Sequence, residues 1–227
     1  MTERRRRVRT RPDKQTLTRD AFTDVAVQLL RREGAHAITL RRLAAELDTG
    51  PASLYGHVGT MQELHALVVD HVLGAVALHP ELEQHPQRRI EAVLDSYATV
   101  LFAHRGLAEL TSGLIPHGPN TFALTETVVG CLLQLGLSAG RAAWGYDLLM
   151  LRMTAAAAEQ DRRRDLDEPK TRAANAYQQI DPTLYPNIAA VHHHLFTGGR
   201  SRTAWAVRAI LAGLTAAPEP DTTPPAR

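Results

Sequence analysis

Ser53, Tyr55 and His57 stand at alternate positions in the segment Pro51–Val58, and each carries a group able to bond a nucleic acid. Two hydroxyls and an imidazole can reach phosphate oxygens or the edges of bases. Ala52 and Ser53 are small enough to let a helix approach a groove closely. A second set of groups suits the same partner. Residues 1–14 hold seven basic side chains (Arg4, Arg5, Arg6, Arg7, Arg9, Arg11, Lys14) against Glu3 and Asp13. The formal net charge is +2, so the rest of the chain, with 19 basic and 22 acidic residues, carries −3. A basic arm on a slightly acidic body fits phosphate neutralisation or insertion into a minor groove. A solvated arm has the same composition, and the arm by itself does not separate the two.

Other reactive residue types lead nowhere as definite. His192, His193 and His194 are consecutive, and on a helix consecutive side chains point about 100° apart, so they cannot face one ion. His65 and His71 lack the spacing of metal ligands, and there is no His-Glu-x-x-His or paired-cysteine motif. Gly136-Leu137-Ser138-Ala139-Gly140 has the Gly-x-Ser-x-Gly spacing, but it follows a helical run and not the strand that a nucleophile elbow requires, and no Gly-rich phosphate loop is present. An enzyme, a metal protein or a cofactor protein therefore has no motif behind it. Cys131, the single cysteine, lies in the apolar run Val128–Leu133 without a cationic neighbour, which reads as core packing in a reducing compartment.

The elements that must position these groups are helical. The chain has 227 residues, 44% of them apolar, enough for a real core. Apolar residues recur at helical spacing and no run alternates as a strand would. Thr18 caps a first helix with the stripe Phe22, Val25, Ala26, Leu29 and Leu30, ended by Gly34. Thr39 caps a second, with Leu40, Leu43, Ala44 and Leu47 on one face. Asp48-Thr49-Gly50-Pro51 is turn chemistry, and Pro51 suits the first turn of a brief third helix with Leu54 and Val58 inward. A fourth helix runs from Met61 towards Leu78. Further helices are expected at about 87–104, 105–112, 119–135, 138–162, 186–195 and 201–216, with 163–184 as a loop and 218–227 as a disordered tail. No apolar run reaches the ~18–20 residues that span a bilayer, and no signal peptide follows the basic start, so a cytoplasmic protein without a membrane partner is expected.

Residues 39–58 are thus helix, tight turn, helix, with a further helix upstream to support the pair. In that arrangement the second helix enters a major groove by its N-terminal end. Leu54-Tyr55-Gly56-His57-Val58, followed by Glu63-Leu64, resembles the tetracycline-repressor (TetR) family of bacterial transcription regulators. Ala26, Leu29-Leu30 and Gly34 fit that family's first helix, and Ile38-Thr39-Leu40-Arg41 the start of its second. The match runs without gaps over about residues 17–76. The resemblance implies an all-α protein of about nine or ten helices. It divides the chain into a basic arm (1–16), a helix-turn-helix DNA-binding domain (17–76) and an effector-binding and dimerisation domain (77–217). It implies that Thr39 and Arg41 contact DNA from the start of helix two, that Pro51, Ala52 and Ser53 read bases, and that Tyr55 and His57 clamp phosphates. The family usually has Gly where Asp48 stands, and often a phosphate-binding Lys where Met61 stands. Asp tolerates the turn; Met61 loses the contact.

The same resemblance implies a homodimer on palindromic operator DNA, most often a repressor, with an unidentified small molecule as effector. The segments Trp144–Met153 and Trp205–Leu214 are apolar on nearly every side, so they need cover all round, and a second subunit supplies it. Leu149, Trp205, Ile210, Leu211 and Leu214 are the candidate contacts. Tyr97, Phe102, His104, Phe122, Trp144, Asp147 and Met150 are candidates for the effector pocket. Asp147 stands out because a carboxylate in an apolar stretch needs a partner, Arg141 or Arg152 being at hand. A helical scaffold that never touches DNA is the competing reading, and it predicts no salt-dependent DNA binding.

Overall fold

The computed structural model describes residues 18–50, 59–79, 85–164, 169–219 and 221. Within them Thr18 opens α1 (Arg19–Glu33), its hydroxyl oxygen accepting from the Ala21 N–H at 3.2 Å. This satisfies one of the donors that every helix start leaves unpaired. Thr39 does the same for α2 (Leu40–Glu46), accepting from the Arg42 N–H at 3.3 Å. Eight more helices follow: α3 (Met61–Leu73), α4 (Pro86–Ala103), α5 (Leu107–Ser112), α6 (Pro119–Gln134), α7 (Ala139–Arg164), α8 (Pro169–Gln178), α9 (Pro186–Leu195) and α10 (Gly199–Ala216). No strand occurs among the described residues. Proline stands in the first turn of α4, α6 and α9, where its missing N–H costs nothing.

Of the expected stripe of α1, Val25 is half-buried, and Phe22, Ala26, Leu29 and Leu30 are buried, meeting Leu43 and Ala44 of α2 and Leu64 and Val68 of α3 in one core. Each large side chain there contributes about 1.5–3 kcal/mol by leaving water. That core continues without a break into the C-terminal helices through Val72, Ile90, Leu94 and Leu124. α7 is the central element, packed against α4, α5, α6 and α10. α3 touches α1 on one side and α4, α5 and α6 on the other, so it belongs to both parts of the molecule.

Three expectations need correction. α3 stops at Leu73 instead of reaching Leu78; Gly74, Ala75 and Val76 close it with tight bonds to the carbonyls of His71, Val72 and Leu73. The stretch 163–184 is not a loop throughout: α7 runs on to Arg164, and α8 occupies Pro169–Gln178. Charged residues continue a helix readily on its wet side, and Pro169 starts a helix there. Finally, Glu219 is held, accepting from the Ser138 hydroxyl at 2.6 Å and pairing with Arg141 at 3.1 Å. The disorder expected from 218 onward therefore does not begin there.

Candidate functional site

A network of charges holds the first two helices together. Arg32 at the end of α1 reaches Glu46 at 2.7 Å, and Arg42 binds both Glu33 and Glu46, the latter at 3.4 Å. These pairs tie α2 to α1 and occupy Arg42. Arg41, its neighbour, is exposed and makes no ion pair among the described residues, which leaves its guanidinium available to an anion. Thr39 is exposed beside it; with its oxygen engaged at the cap, its hydroxyl hydrogen can still donate. The basic arm and Pro51, Ala52, Ser53, Tyr55 and His57 lie outside the described residues.

The turn that follows α2 has the geometry its unusual residue has to accommodate. Asp48 takes φ +46°, in the left-handed region. The Thr49 N–H donates to the Ala44 carbonyl at 3.0 Å and the Asp48 N–H to that of Ala45 at 3.4 Å. This is a Schellman stop with aspartate in the position glycine usually fills. On the far side of the motif, Thr60 and Glu63 form a reciprocal capping box at 3.1 Å in each direction, fixing the start of α3. His65, one turn on, bonds to the Ile38 backbone; burial lowers its pKa and that bond works against the shift.

In the C-terminal part, a cavity of about 530 Å³ lies between α4, α7 and the start of α10. Leu94, Phe102, Met153 and Val207 supply apolar wall, while Asp95 and Arg152 bring charge to it. Such a volume, with apolar walls and a few polar groups, suits a small organic molecule. Of the expected pocket residues, Phe102 lines this cavity; Tyr97, His104, Phe122, Trp144, Asp147 and Met150 do not. Tyr97 is buried, its hydroxyl 2.7 Å from that of Thr154 on α7. Burial pushes its pKa up to about 12, against the Thr154 bond and with the neighbouring Tyr146. His104 bonds through Nδ1 to the Val100 carbonyl oxygen at 3.0 Å, and Met150 is half-buried against the core. Phe122, Trp144 and Asp147 are exposed. Asp147 is therefore not the buried carboxylate expected; hydropathy along α7 could not tell which side of the helix faced water. The polar lining, such as Arg152 and Asp95, was missed because charged residues at helical spacing ordinarily read as solvated surface.

Two helices leave an apolar face uncovered. On α7, Trp144, Leu148 and Leu151 follow one another at helical spacing and are all exposed; Trp205 on α10 is 66% exposed. α10 packs beside α7, where Leu214 lies against Gly145. Of the candidate dimer contacts, Trp205 belongs to the outer face. Leu149 at 0% and Leu211 at 5% exposure are core residues, and Ile210 and Leu214 are half-buried against that core. Leu149 and Leu211 therefore have no surface to offer a partner. Cys131 is buried, and no group of metal-binding side chains occurs among the described residues. Among those residues no helix is long and apolar enough to cross a membrane.

Comparison with known proteins bears on the whole of this arrangement. Residues 22–67 match the family described as bacterial regulatory proteins, tetR family, and residues 79–217 match the tetracyclin repressor-like C-terminal domain. An HTH-type transcriptional regulator of Saccharopolyspora erythraea is 33% identical over 191 residues, 79% of this chain and 78% of that protein. The HTH-type transcriptional repressor DrrR1 of Streptomyces coeruleorubidus is 31% identical over 129 residues, 56% of this chain and 48% of that protein. ActR of Streptomyces coelicolor, solved without ligand, superimposes with a TM-score of 0.80 at 32% identity, covering 89% of this chain and 98% of that one. It has also been solved with (S)-DNPA and with actinorhodin.

Proposed function

Because the chain belongs to the tetR family of bacterial regulatory proteins, which are DNA-binding transcription regulators and not enzymes, we propose that it is a repressor released from its operator by a small organic effector. The observation that carries the reading is the cavity between α4 and α7, set in the domain that α3 joins to the helix-turn-helix. The complex of ActR with actinorhodin and the transcriptional repressor DrrR1 support it by likeness. Pro51, Ala52 and Ser53 would read bases, Tyr55 and His57 would hold phosphates, and Thr39 and Arg41 would contact the backbone from the start of α2. The protein would act as a homodimer through the outer face of α7 and α10, which places two recognition helices on half-sites about 34–36 Å apart. The working place of such a regulator is the cytoplasm.

The test begins with duplexes selected by the protein from a random pool. Palindromic sites are expected, bound with strong salt dependence, and Arg41→Ala should reduce the salt slope by roughly one per subunit. Adding actinorhodin or (S)-DNPA as first probes, followed by a panel of other small organic molecules, should release the duplex for any probe that calorimetry shows to bind. Failure to select any duplex would favour the scaffold reading.

A further inference from the structure

The DNA-binding unit touches the C-terminal domain not only through α3 but also where two turns meet. Gly34, at φ +92°, ends α1, and the next N–H, that of Ala35, donates to the Arg105 carbonyl between α4 and α5 at 2.8 Å. The approach is close on both sides. A Cβ on Gly34 would come within 3.1 Å of the Arg105 carbonyl oxygen, and one on Gly106 within 3.1 Å of the Ala35 side chain. Gly106 has φ +76°, and its own N–H donates to the carboxylate of Asp161, 9% exposed on α7.

The Arg105 carbonyl and the Gly106 N–H belong to the same peptide group. That group is planar and trans, so its oxygen and its hydrogen point in opposite directions and cannot turn independently. One side holds Ala35 of the DNA-binding unit; the other holds α7. Both supports leave the cavity directly. Phe102 on its wall lies four residues before Gly106, and Glu159 and Gln160 immediately precede Asp161.

We propose that this peptide group is a relay from the cavity to the helix-turn-helix. A molecule wedged between α4 and α7 moves Asp161 relative to Gly106, turns the peptide plane, and breaks the bond to Ala35. α1, and with it α2 through the Arg32–Glu46 and Arg42–Glu33 pairs, then loses this tie and stays joined to the C-terminal domain through α3. The proposal rests on reading the cavity as the effector's site, and it assigns Asp161 as a positioning residue that acts through Gly106.

Hydrogen exchange of single amides tests it without a known effector. Ala156, half-buried on the cavity wall, is replaced (Ala156→Cys) and modified with a benzyl thiosulfonate, which reductant removes; buried Cys131 does not react. The label should raise Ala35 exchange about tenfold or more, leave the amides of Val128 and Leu132 in α6 unchanged, and be reversed by reductant. In Asp161→Ala, Ala35 should already exchange fast and the label should add nothing; Asp161→Asn, which can still accept, should restore the slow rate. Unchanged Ala35 exchange in the labelled protein overturns the relay, as does a full label effect in Asp161→Ala. Should Asp161→Ala fail to fold, labelled Ala156→Cys and Asp161→Asn decide the matter. If the label works but no probe in the panel binds by calorimetry, the effector reading fails and the relay stands.

Discussion

The carboxylate of Asp70 on α3 accepts from both the backbone N–H and the hydroxyl of Thr121, each at 2.8 Å, and so caps the start of α6 from another helix. The natural cap position, Gly118, has no side chain to offer, and at φ +147° it has no room for one: an added Cβ would lie 2.4 Å from the Asp70 carboxylate. Asp70 is 6% exposed, so the bonds are made where water cannot replace them. One side chain thus caps α6 and locks the helix that carries the DNA-binding unit.

Asp70→Ala should destabilise the protein by about 1–3 kcal/mol, since it strands the Thr121 donors at a buried helix start. Gly118→Ala should be costly too, through the same contact and a strained backbone. Thermal unfolding measured for both variants checks this; a wild-type melting temperature in Asp70→Ala would mean that the cap carries no weight.

Alkaline pH should expose the buried phenol. Tyr97 ionises at about 12 in the folded chain and near 10.0 when unfolded. Across that window the unfolded state has lost a proton that the folded state keeps, so it binds fewer protons and stability falls as pH rises. Full loss amounts to roughly 2–3 kcal/mol. Tyr146 is raised as well, chiefly by burial, and adds in the same direction. Urea unfolding at pH 9 to 12 should therefore show a shallower decline for Tyr97→Phe than for the parent chain.

If the proposed homodimer forms through the outer face of α7 and α10, charge placed there should split it without unfolding the subunit. Leu148→Glu and Trp205→Glu are expected to give folded monomers by light scattering and circular dichroism, with weakened operator binding. Leu149→Ala should do the opposite: a dimer that has lost about 2–5 kcal/mol from its core. A dimer that survives both glutamates would place the contact on another surface.

Asp48 holds a left-handed conformation that costs an L-residue energy. Asp48→Gly should therefore raise stability by about 0.5–1 kcal/mol, and Asp48→Val should lower it. Melting temperatures of the two variants moving in the same direction would contradict the strained turn.

Most of the helices, the Thr18 and Thr39 caps and the family were readable from local signals, whereas α8 was not, its stretch reading as a loop. Thr18 and Thr39 cap where hydroxyls precede apolar periodicity, and Phe22, Ala26, Leu29 and Leu30 are buried because their spacing repeats with the helix. The Leu54–Val58 pattern marks the family through a short segment whose residues must all be near one another in the chain. Orientation was a different matter. The stretch Trp144–Met153 of α7 is apolar on nearly every side, so nothing in its order of residues separated Leu149, which faces the core, from Trp144 and Leu148, which face outward. That choice depends on which neighbours α7 packs against. The Asp70–Thr121 cap and the Asp161–Gly106 bond join residues 51 and 55 positions apart. Such pairs exist only once the helices are assembled, because a hydrogen bond needs its atoms within about 3 Å whatever the chain between them says.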